Sequence, residues 1–245
     1  GAPRLETKRV LDACCGCGIQ GIAALRYYAE EVTFVDLNPR VFGYVRLNLS
    51  MNCLSHKSAH VHVGSINCAD GLDTKPYDLV LANPPFIPNP QGIAEDSSYM
   101  FGDGGETGEE ILIGLIKNIE KLLRPGGLLV SPAKTPNIKY LPYRLERWYA
   151  AGAGASASFK ACIFRGPARP INDRVPASSP FEAERYVDAL RRLGIETMSQ
   201  ALILLSIGGK RPPGQRARLC GDPRPNFWLD EHFLRSLGVP HALGD

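Results

Sequence analysis

The stretch VLDACCGCGIQG, residues 10–21, decides the fold of this chain. Apolar residues over 9–13 predict a short buried strand, and apolar residues at helical spacing over 19–28 predict a helix. Gly16 and Gly18 stand between them, where glycine permits a sharp turn and lets a ligand approach the backbone. The first turn of a helix also carries free N–H groups, which bind carboxylate or phosphate groups. The stretch therefore predicts a cofactor-binding turn between a strand and a helix.

Three cysteines in the same stretch allow a different interpretation. Cys14 and Cys17 have the spacing of a redox motif or of half a zinc site. A structural zinc site needs a second pair of ligands, whereas Cys53 and Cys68 stand alone in the sequence. A redox motif would leave the two glycines without a role. We therefore expect no metal ion here and favour the cofactor-binding turn.

The composition is that of an ordinary globular protein. The chain has 245 residues, of which 44% are hydrophobic and 22% charged, which suits one large domain with a small extension. A net charge of +3 neither indicates nor excludes nucleic-acid binding. The chain has no apolar run that could span a bilayer, no signal-peptide pattern and an odd number of cysteines, so we predict a cytoplasmic protein with reduced thiols. Because the first strand begins so early, we also expect an N-terminal segment to be missing.

Strands alternate with helices along the rest of the chain, which predicts an α/β fold. Further strands are predicted over 31–36, 60–63, 77–82, 128–131, 159–164 and 201–207, and further helices over 42–49, 109–123, 141–150 and 181–193. The strands are apolar on both faces, so we expect a seven-stranded, mainly parallel sheet with helices on both sides. We divide the chain into a Rossmann-like domain over 1–207, with a loop insertion at about 165–180, and a C-terminal extension over 208–245.

The second strand points to an adenosine cofactor. It ends in Asp36, about twenty residues after the turn, where Rossmann-like folds bind an adenosine ribose. Gly16, Gly18 and Gly21 match the dinucleotide-binding spacing, so an NAD-dependent oxidoreductase is one alternative. Asp12, at the end of the first strand, would attract the ammonium of a methionine-type tail and would repel a pyrophosphate. This acid favours S-adenosylmethionine over NAD.

Val10-Leu11-Asp12, Gly16 and Gly18 together resemble the first motif of class I S-adenosylmethionine-dependent methyltransferases. Asp36 resembles the acid that holds the ribose hydroxyls in that family. Asn83-Pro84-Pro85-Phe86, at the end of the predicted fourth strand, resembles the motif of enzymes that methylate planar nitrogens. Such nitrogens occur in glutamine side chains and in the exocyclic amines of adenine, guanine and cytosine.

Within that group the chain is most similar to the HemK family of protein glutamine N-methyltransferases. The matching segments lie over 83–88, 102–108 and 123–127. The chain departs from the family at Cys14, where a glycine is usual, and at Ser65, where many relatives carry an acid. It also lacks the helical N-terminal domain that binds substrate in HemK enzymes. The resemblance implies methyl transfer and leaves the acceptor open among a protein glutamine, a small molecule and a nucleic-acid base.

The resemblance implies two sets of site residues. The predicted cofactor-binding residues are Asp12, Cys14, Gly16, Gly18, Asp36, Leu37, Ser65, Ile66 and Asn83. The predicted catalytic residues are Asn83, Pro84, Pro85 and Phe86. No membrane partner is expected, and the oligomeric state is left open.

The Asn-Pro-Pro-Phe segment suits a nitrogen whose lone pair is delocalised and therefore a poor nucleophile. The side-chain oxygen of Asn83 and the carbonyl of Pro84 can accept hydrogen bonds from an NH₂ group, which draws electron density onto the nitrogen. The two prolines restrict the backbone, and Phe86 can stack on a planar acceptor. The glycine-rich run over 102–108 would form a lid over the acceptor, with a flexible loop as the alternative.

Overall fold

Nine strands form one sheet in the computed structural model of the chain, which describes residues 8–66, 72, 75–90, 102–152, 157–173, 180–210 and 218–220. The strands are β1 (Arg9–Ala13), β2 (Glu31–Asp36), β3 (Ser58–Val63), β4 (Tyr77–Ala82), β5 (Leu123–Pro136), β6 (Ala157–Arg165), β7 (Arg169–Pro170), β8 (Thr197–Lys210) and β9 (Arg218–Cys220). Cys68, part of the predicted insertion (174–179) and most of the predicted extension (211–217 and 221–245) lie outside the described residues.

The sheet has the order β3-β2-β1-β4-β5-β8-β6-β9, and β7 pairs with β8. Strands β1 to β5 pair in parallel, whereas β8 lies antiparallel to both β5 and β6. The seven longer strands confirm the predicted α/β sheet, and the short strands β7 and β9 were not predicted. β8 continues to Lys210, past the predicted domain boundary.

Six α-helices accompany these strands in the described part of the chain: α1 (Ile19–Tyr27), α2 (Val41–Met51), α3 (Glu110–Lys117), α4 (Ile119–Leu122), α5 (Leu141–Ala150) and α6 (Pro180–Arg192). The single helix predicted over 109–123 is two helices, because it is interrupted at Asn118. The side-chain amide of Asn118 donates to the carbonyl of Gly114 at 3.0 Å, so that it competes with the backbone for this acceptor.

Hydrophobic clusters cover both faces of the sheet, as the apolar strands predicted. Leu11 and Ala13 of β1 pack into the cluster that includes α3 and α5, whereas Val10 packs into the cluster of α1 and α2. Successive residues of a strand point to opposite faces, so β1 is buried between two helical layers. This burial holds the end of β1, and the turn that follows it, at a fixed place on the sheet edge.

Two further observations concern the predicted location and thiols. No helix of the described residues is long and apolar enough to cross a membrane. Cys162 on β6 forms a disulfide, so the expectation of reduced thiols is wrong at this residue. Cys14, Cys15, Cys17 and Cys53 are free thiols.

Candidate functional site

The carboxyl ends of three neighbouring parallel strands form the candidate site. Ala13 of β1 pairs with Val35 of β2 on one side and with Ala82 of β4 on the other. The residues that follow these strands therefore emerge at one edge of the sheet, where open α/β sheets bind their ligands. The structure thus brings together the predicted glycine turn, Asp36 and Asn83.

The glycine turn between β1 and α1 contains three residues with left-handed backbone: Cys14 (φ 56°), Gly16 (φ 52°) and Gly18 (φ 81°). Cys14 stands where the resemblance predicts a glycine, and its positive φ shows why glycine suits the position. Gly18 also needs its small size, since a Cβ there would lie 3.0 Å from Val45 Cγ2. Around Gly16 a Cβ would meet no atom within 4 Å, so the turn faces open space that a ligand can occupy.

Asp36 ties the end of β2 to this turn. One carboxylate oxygen accepts from the backbone N–H of Gly16 at 2.9 Å, and the other accepts from the N–H of Asn38 at 2.9 Å. The backbone carbonyl of Asp36 also accepts from the N–H of Gly64 at 2.8 Å, which joins the end of β3 to the site. The carboxylate is only partly buried, so it remains at the surface of the turn.

Asp12 lies beneath the turn and is fully buried. Its Oδ2 accepts from the N–H of Gly21 in α1 at 2.7 Å, while its Oδ1 has no hydrogen-bond partner. Burial raises the pKa of Asp12 to about 7, against the lowering effect of the Gly21 hydrogen bond, and the charge of Asp36 raises the pKa further. In this conformation the carboxylate positions α1 and is closed off from a ligand above the turn, so the predicted contact with a cofactor ammonium would require the turn to move.

The predicted adenine contacts lie beside Asp36. Leu37 is 66% exposed, which leaves an apolar surface next to Asp36. Ser65 is partly buried and Ile66 is buried, and both follow the end of β3. The same end of the sheet therefore carries the glycine turn, Leu37, Ser65 and Ile66. The exposed backbone of the turn and the apolar surface of Leu37 suit the binding of an adenosyl group.

Asn83, Pro84, Pro85 and Phe86 continue directly from β4. The side chain of Asn83 is exposed, Pro84 is buried, and Pro85 and Phe86 are partly buried. The motif therefore presents a hydrogen-bonding amide at the edge of the sheet, on a backbone that the prolines hold rigid.

The run over 102–108 braces this motif. Ile87 donates from its N–H to the carbonyl of Gly102 at 2.8 Å and accepts from the N–H of Gly104 at 2.9 Å. A Cβ on Gly104 would lie 2.9 Å from Phe86 Cα, and a Cβ on Gly108 would lie 2.7 Å from the Phe86 carbonyl oxygen. Only glycine fits at these two positions, because any side chain would collide with the backbone of Phe86. We interpret the run as a backbone support for the motif and no longer as a lid.

A buried polar group that the sequence did not reveal anchors the end of this run. Glu109 is 3% exposed, and it pairs with Arg144 of α5 at 3.0 Å and accepts a hydrogen bond from Thr135 of β5. Burial raises the pKa of Glu109, while the charge of Arg144 and the hydrogen bonds from Thr135 and Arg144 oppose the shift. Glu109 lies 26 positions before Thr135 and 35 before Arg144, so no local signal in the sequence pointed to this contact.

Phe86 lines a cavity of about 340 Å³. Its other walls are Lys134 of β5, Met198 and Gln200 of β8, and residues from the segment 167–173. The described part of the predicted insertion thus lines a cavity next to the predicted catalytic motif. Neither Asp36 nor the glycine turn lines this cavity.

Comparisons with known proteins agree with this geometry. The family model described as methyltransferase small domain matches residues 2–98. A release factor glutamine methyltransferase from Gloeobacter violaceus is 30% identical over 152 residues, which cover 57% of this chain and 51% of that protein. The rRNA N(6)-adenosine-methyltransferase metl-5 of Caenorhabditis elegans is 24% identical over 185 residues, which cover 75% of this chain and 72% of that protein.

The chain spans less than two thirds of the length of most of the curated relatives that it matches, between 22% and 61% of each. Among solved structures, the YcgJ protein from Bacillus subtilis has the same fold, with a TM-score of 0.51 and 12% identity over 86% of this chain and 95% of that one. These findings confirm the predicted Rossmann-like fold and show that residues 2–98 are similar to a methyltransferase domain.

Proposed function

We propose that this chain methylates a planar amide or amine nitrogen of its acceptor, as HemK-like enzymes do. The observation that carries the proposal is the exposed amide of Asn83 at the end of β4, next to β1 and its glycine turn in the sheet. Bound at that turn, S-adenosylmethionine supplies an electrophilic methyl group. The cytoplasmic location stays a prediction.

The cofactor site uses the turn and the ends of β2 and β3. The backbone of Cys14, Gly16 and Gly18 faces the methionine part, and Asp36 holds the ribose hydroxyls. Leu37 packs on the adenine ring, and Ser65 and Ile66 meet its edge. Asp12 holds α1 against the turn through the N–H of Gly21, a supporting role that fits its complete burial.

The acceptor nitrogen is activated by Asn83 and Pro84. Their oxygens accept the two hydrogens of an NH₂ group, so that the nitrogen keeps its lone pair directed at the methyl carbon. Because Pro84 and Pro85 fix the backbone, the two oxygens are in place before the acceptor binds. No conformational entropy is then lost to position them during the reaction. Phe86, which lines the cavity, stacks on the planar acceptor.

A nucleic-acid base is the second candidate acceptor beside a glutamine side chain. It is favoured by a specific observation, the two cationic side chains Lys134 and Arg169 in the cavity that begins at Phe86. A glutamine methyltransferase and an rRNA adenosine methyltransferase both occur among the relatives, so similarity alone does not choose between these acceptors.

The test uses a radiolabelled methyl donor. Purified protein is incubated with cell extract, and the label is sorted into protein, nucleic acid and small molecules. Replacement of Asn83 by alanine (Asn83→Ala) should lower label transfer by about 100-fold or more, because an oriented acceptor is lost. The variant should still bind S-adenosylhomocysteine, measured by calorimetry, within about twofold of the wild type.

Asn52→Ala is the matched control, since Asn52 is an exposed asparagine at the end of α2 and donates to the carbonyl of Asn48 in its own helix. It should transfer label at the wild-type rate. Full transfer by Asn83→Ala would contradict the proposed role of the amide, and failure of the wild-type protein to bind S-adenosylhomocysteine would contradict the proposed function as a whole.

A further inference from the structure

The helices α1 and α2 are apolar on their outer sides as well as on their inner ones. Both pack on the same face of the sheet, since Leu25 of α1 and Val45 of α2 belong to one hydrophobic cluster. Away from this cluster, Tyr27 is 76% exposed, Leu47 58% and Met51 73%. A helix that is apolar on all sides is normally buried on all sides. The outer sides of these two helices therefore have the character of an interface.

The exposed apolar residues of α2 form a row along the helix. Tyr44, Leu47 and Met51 are separated by three and four positions, so they lie on one side of α2. Asn48 lies in the same row, and its side-chain amide donates to the carbonyl of Cys17 at 2.8 Å, two residues before α1 begins. The row thus runs along the side of α2 that is joined to the start of α1, and this bond keeps the two helices in a fixed arrangement.

The charged residues of both helices are positive. Neither α1 nor α2 contains an aspartate or a glutamate, and each carries one exposed arginine, Arg26 in α1 and Arg46 in α2. The acid Glu30 follows three residues after the end of α1. The surface of α6 is different, because it exposes charges of both signs, among them Glu182 and Arg185. The outer side of α1 and α2 therefore combines apolar side chains with positive charge.

This combination fits a protein partner. Exposed apolar patches mark interaction sites, and tyrosine, methionine and arginine are enriched where proteins meet. Helices bind one another through apolar residues at three- and four-residue spacing, so a helix is the element that matches the row on α2. A nucleic acid is disfavoured, because Leu47 and Met51 offer neither a charge to a phosphate nor an aromatic face to a base.

Charge disfavours a second copy of this chain as the partner. A symmetric dimer brings the same patch of two chains together, so Arg26 and Arg46 would face a surface that carries the same two arginines. Like charges placed against each other weaken binding, whereas carboxylates form charge-assisted hydrogen bonds with arginine. The positive charge therefore favours an acidic partner.

We propose that this outer surface binds an acidic amphipathic helix of a partner protein. The α1–α2 surface consists of Arg26, Tyr27, Tyr44, Arg46, Leu47 and Met51. The apolar side of the partner helix covers the row on α2, and its aspartates or glutamates pair with the two arginines. None of the six residues lines the cavity or belongs to the Asn-Pro-Pro-Phe motif, so the inference goes beyond the proposed methyl transfer and does not depend on it.

Three synthetic peptides test this surface. The first has about 18 residues, a length at which helices form, with leucines on one side and glutamates on the other. The second has the same composition in scrambled order, and the third has lysine in place of glutamate. In calorimetric titrations of the full chain, the first peptide should bind about tenfold or more tighter than the other two. Added salt should weaken its binding, because the arginines are exposed.

Two substitutions on α2 separate the apolar part of the binding from the ionic part. Leu47→Gln should weaken binding of the first peptide by about fivefold or more at every salt concentration, because apolar contact is lost. Arg46→Gln should weaken it by about threefold at low salt and by less at high salt, where screening has already reduced the ionic contribution. Both residues are exposed and glutamine suits a helix, so circular dichroism and urea unfolding should show an unchanged fold.

Tyr143→Gln and Arg147→Gln are the matched controls. Both residues are exposed on α5, which packs into the cluster on the opposite face of the sheet. The two control variants should bind the first peptide as the wild type does. Equal losses in these variants and in the α2 variants would overturn the inference.

The other possible occupants of the surface are outcomes of the same test. A first peptide that bound no better than its scrambled form would show that the surface does not recognise an acidic amphipathic helix. A dimer of the wild-type chain, detected by light scattering and dissociated by Leu47→Gln, would make a second copy the occupant. Tighter binding of an RNA oligonucleotide or of anionic lipid vesicles than of the first peptide, lost in Leu47→Gln, would assign the surface to that ligand. Each of these three results would overturn the inference.

Discussion

Two aspartates at the ends of neighbouring strands hold the same turn from opposite sides. Asp36 lies at the surface and binds the N–H of Gly16, whereas Asp12 lies in the core and binds the N–H of Gly21. The sequence placed both acids correctly at the ends of their strands. It could not show that Asp12 is buried, because the direction of a side chain depends on how α1 packs over β1.

Removal of the Asp36 carboxylate should weaken cofactor binding. In Asp36→Ala the N–H groups of Gly16 and Asn38 lose their acceptor, and the proposed ribose contact is lost as well. We expect affinity for S-adenosylhomocysteine, measured by calorimetry, to fall by about tenfold or more, since hydrogen bonds to a charged group are involved. Asp188→Ala, at an exposed position on α6, is the control, and equal affinities in the two variants would remove Asp36 from the site.

Asp12 should make the stability of the protein depend on pH. Its pKa rises from 3.8 to about 7 on folding, so the folded state binds more protons than the unfolded state between these values. The contribution of Asp12 to the free energy of unfolding is therefore complete below pH 3.8. It declines as the pH rises toward about 7, by at most about 1.4 kcal/mol per pH unit.

Urea unfolding between about pH 5 and pH 7 tests this effect. Asp12→Asn keeps the size of the side chain but does not titrate, so its unfolding free energy should lack the decline that the wild type shows in this range. Asp188→Asn should follow the wild type. If all three proteins gave parallel curves, Asp12 would titrate with an ordinary pKa and its burial would have another explanation.

At the scale of elements, the proposed catalytic motif depends on the glycine-rich run over 102–108, for which no catalytic role is proposed. The glycines at 104 and 108 let the run over 102–108 pass directly against the backbone of Phe86. The run is then anchored through Glu109 to Thr135 and Arg144. The position of the motif is therefore set by three elements: the end of β4, this run, and the buried ion pair beside α5.

A methyl group placed in this contact should disturb the motif. A Cβ on Gly104 would lie 2.8 Å from Gly108 Cα and 2.9 Å from Phe86 Cα, closer than backbone atoms allow. Gly104→Ala should lower label transfer by tenfold or more, on the order of what misplacement by about 1 Å costs. S-adenosylhomocysteine affinity should stay within about twofold, because the glycine turn lies on other strands.

Gly43→Ala provides the contrast. Gly43 lies within α2, where a Cβ would meet no atom within 4 Å, so alanine should leave transfer unchanged and raise stability by about 0.5–1 kcal/mol. Both variants are measured for transfer and for urea unfolding. Normal transfer by Gly104→Ala would show that the run does not support the motif.

The sequence predicted the bounds of three central strands well because their signals are local. The bounds of β1, β2 and β4 follow from apolar runs that end in polar or glycine residues, and the observed bounds agree with the predicted ones. The break at Asn118 was missed, since a single side-chain hydrogen bond outweighs a strong helical pattern. The bracing role of 102–108 was missed because it depends on contact with Phe86, which no spacing in the sequence encodes.

At the scale of the whole molecule, the proposed acceptor half, which is the cavity and the elements that line it, is built from contacts between distant residues. The cavity joins Phe86 to β5, β8 and the segment 167–173, and α6 reaches the motif through Tyr186 and Pro88, which are 98 positions apart in the sequence. Such long-range contacts form only when the sheet is complete. For this reason the sequence predicted an insertion at about 165–180 without showing what its residues contact.

The contact between Tyr186 and Pro88 should couple this acceptor half to the catalytic motif. In Tyr186→Phe the buried carbonyl of Pro88 loses this hydrogen bond while the ring remains in its cluster, so stability should fall by about 1 kcal/mol in urea unfolding. Label transfer should fall as well, because the cavity is no longer held in register with Asn83, and affinity for S-adenosylhomocysteine should not change. Tyr143→Phe, at an exposed position on α5, should match the wild type in all three measurements. A loss of stability in Tyr186→Phe with full label transfer would mean that the hydrogen bond supports the fold but does not align the acceptor.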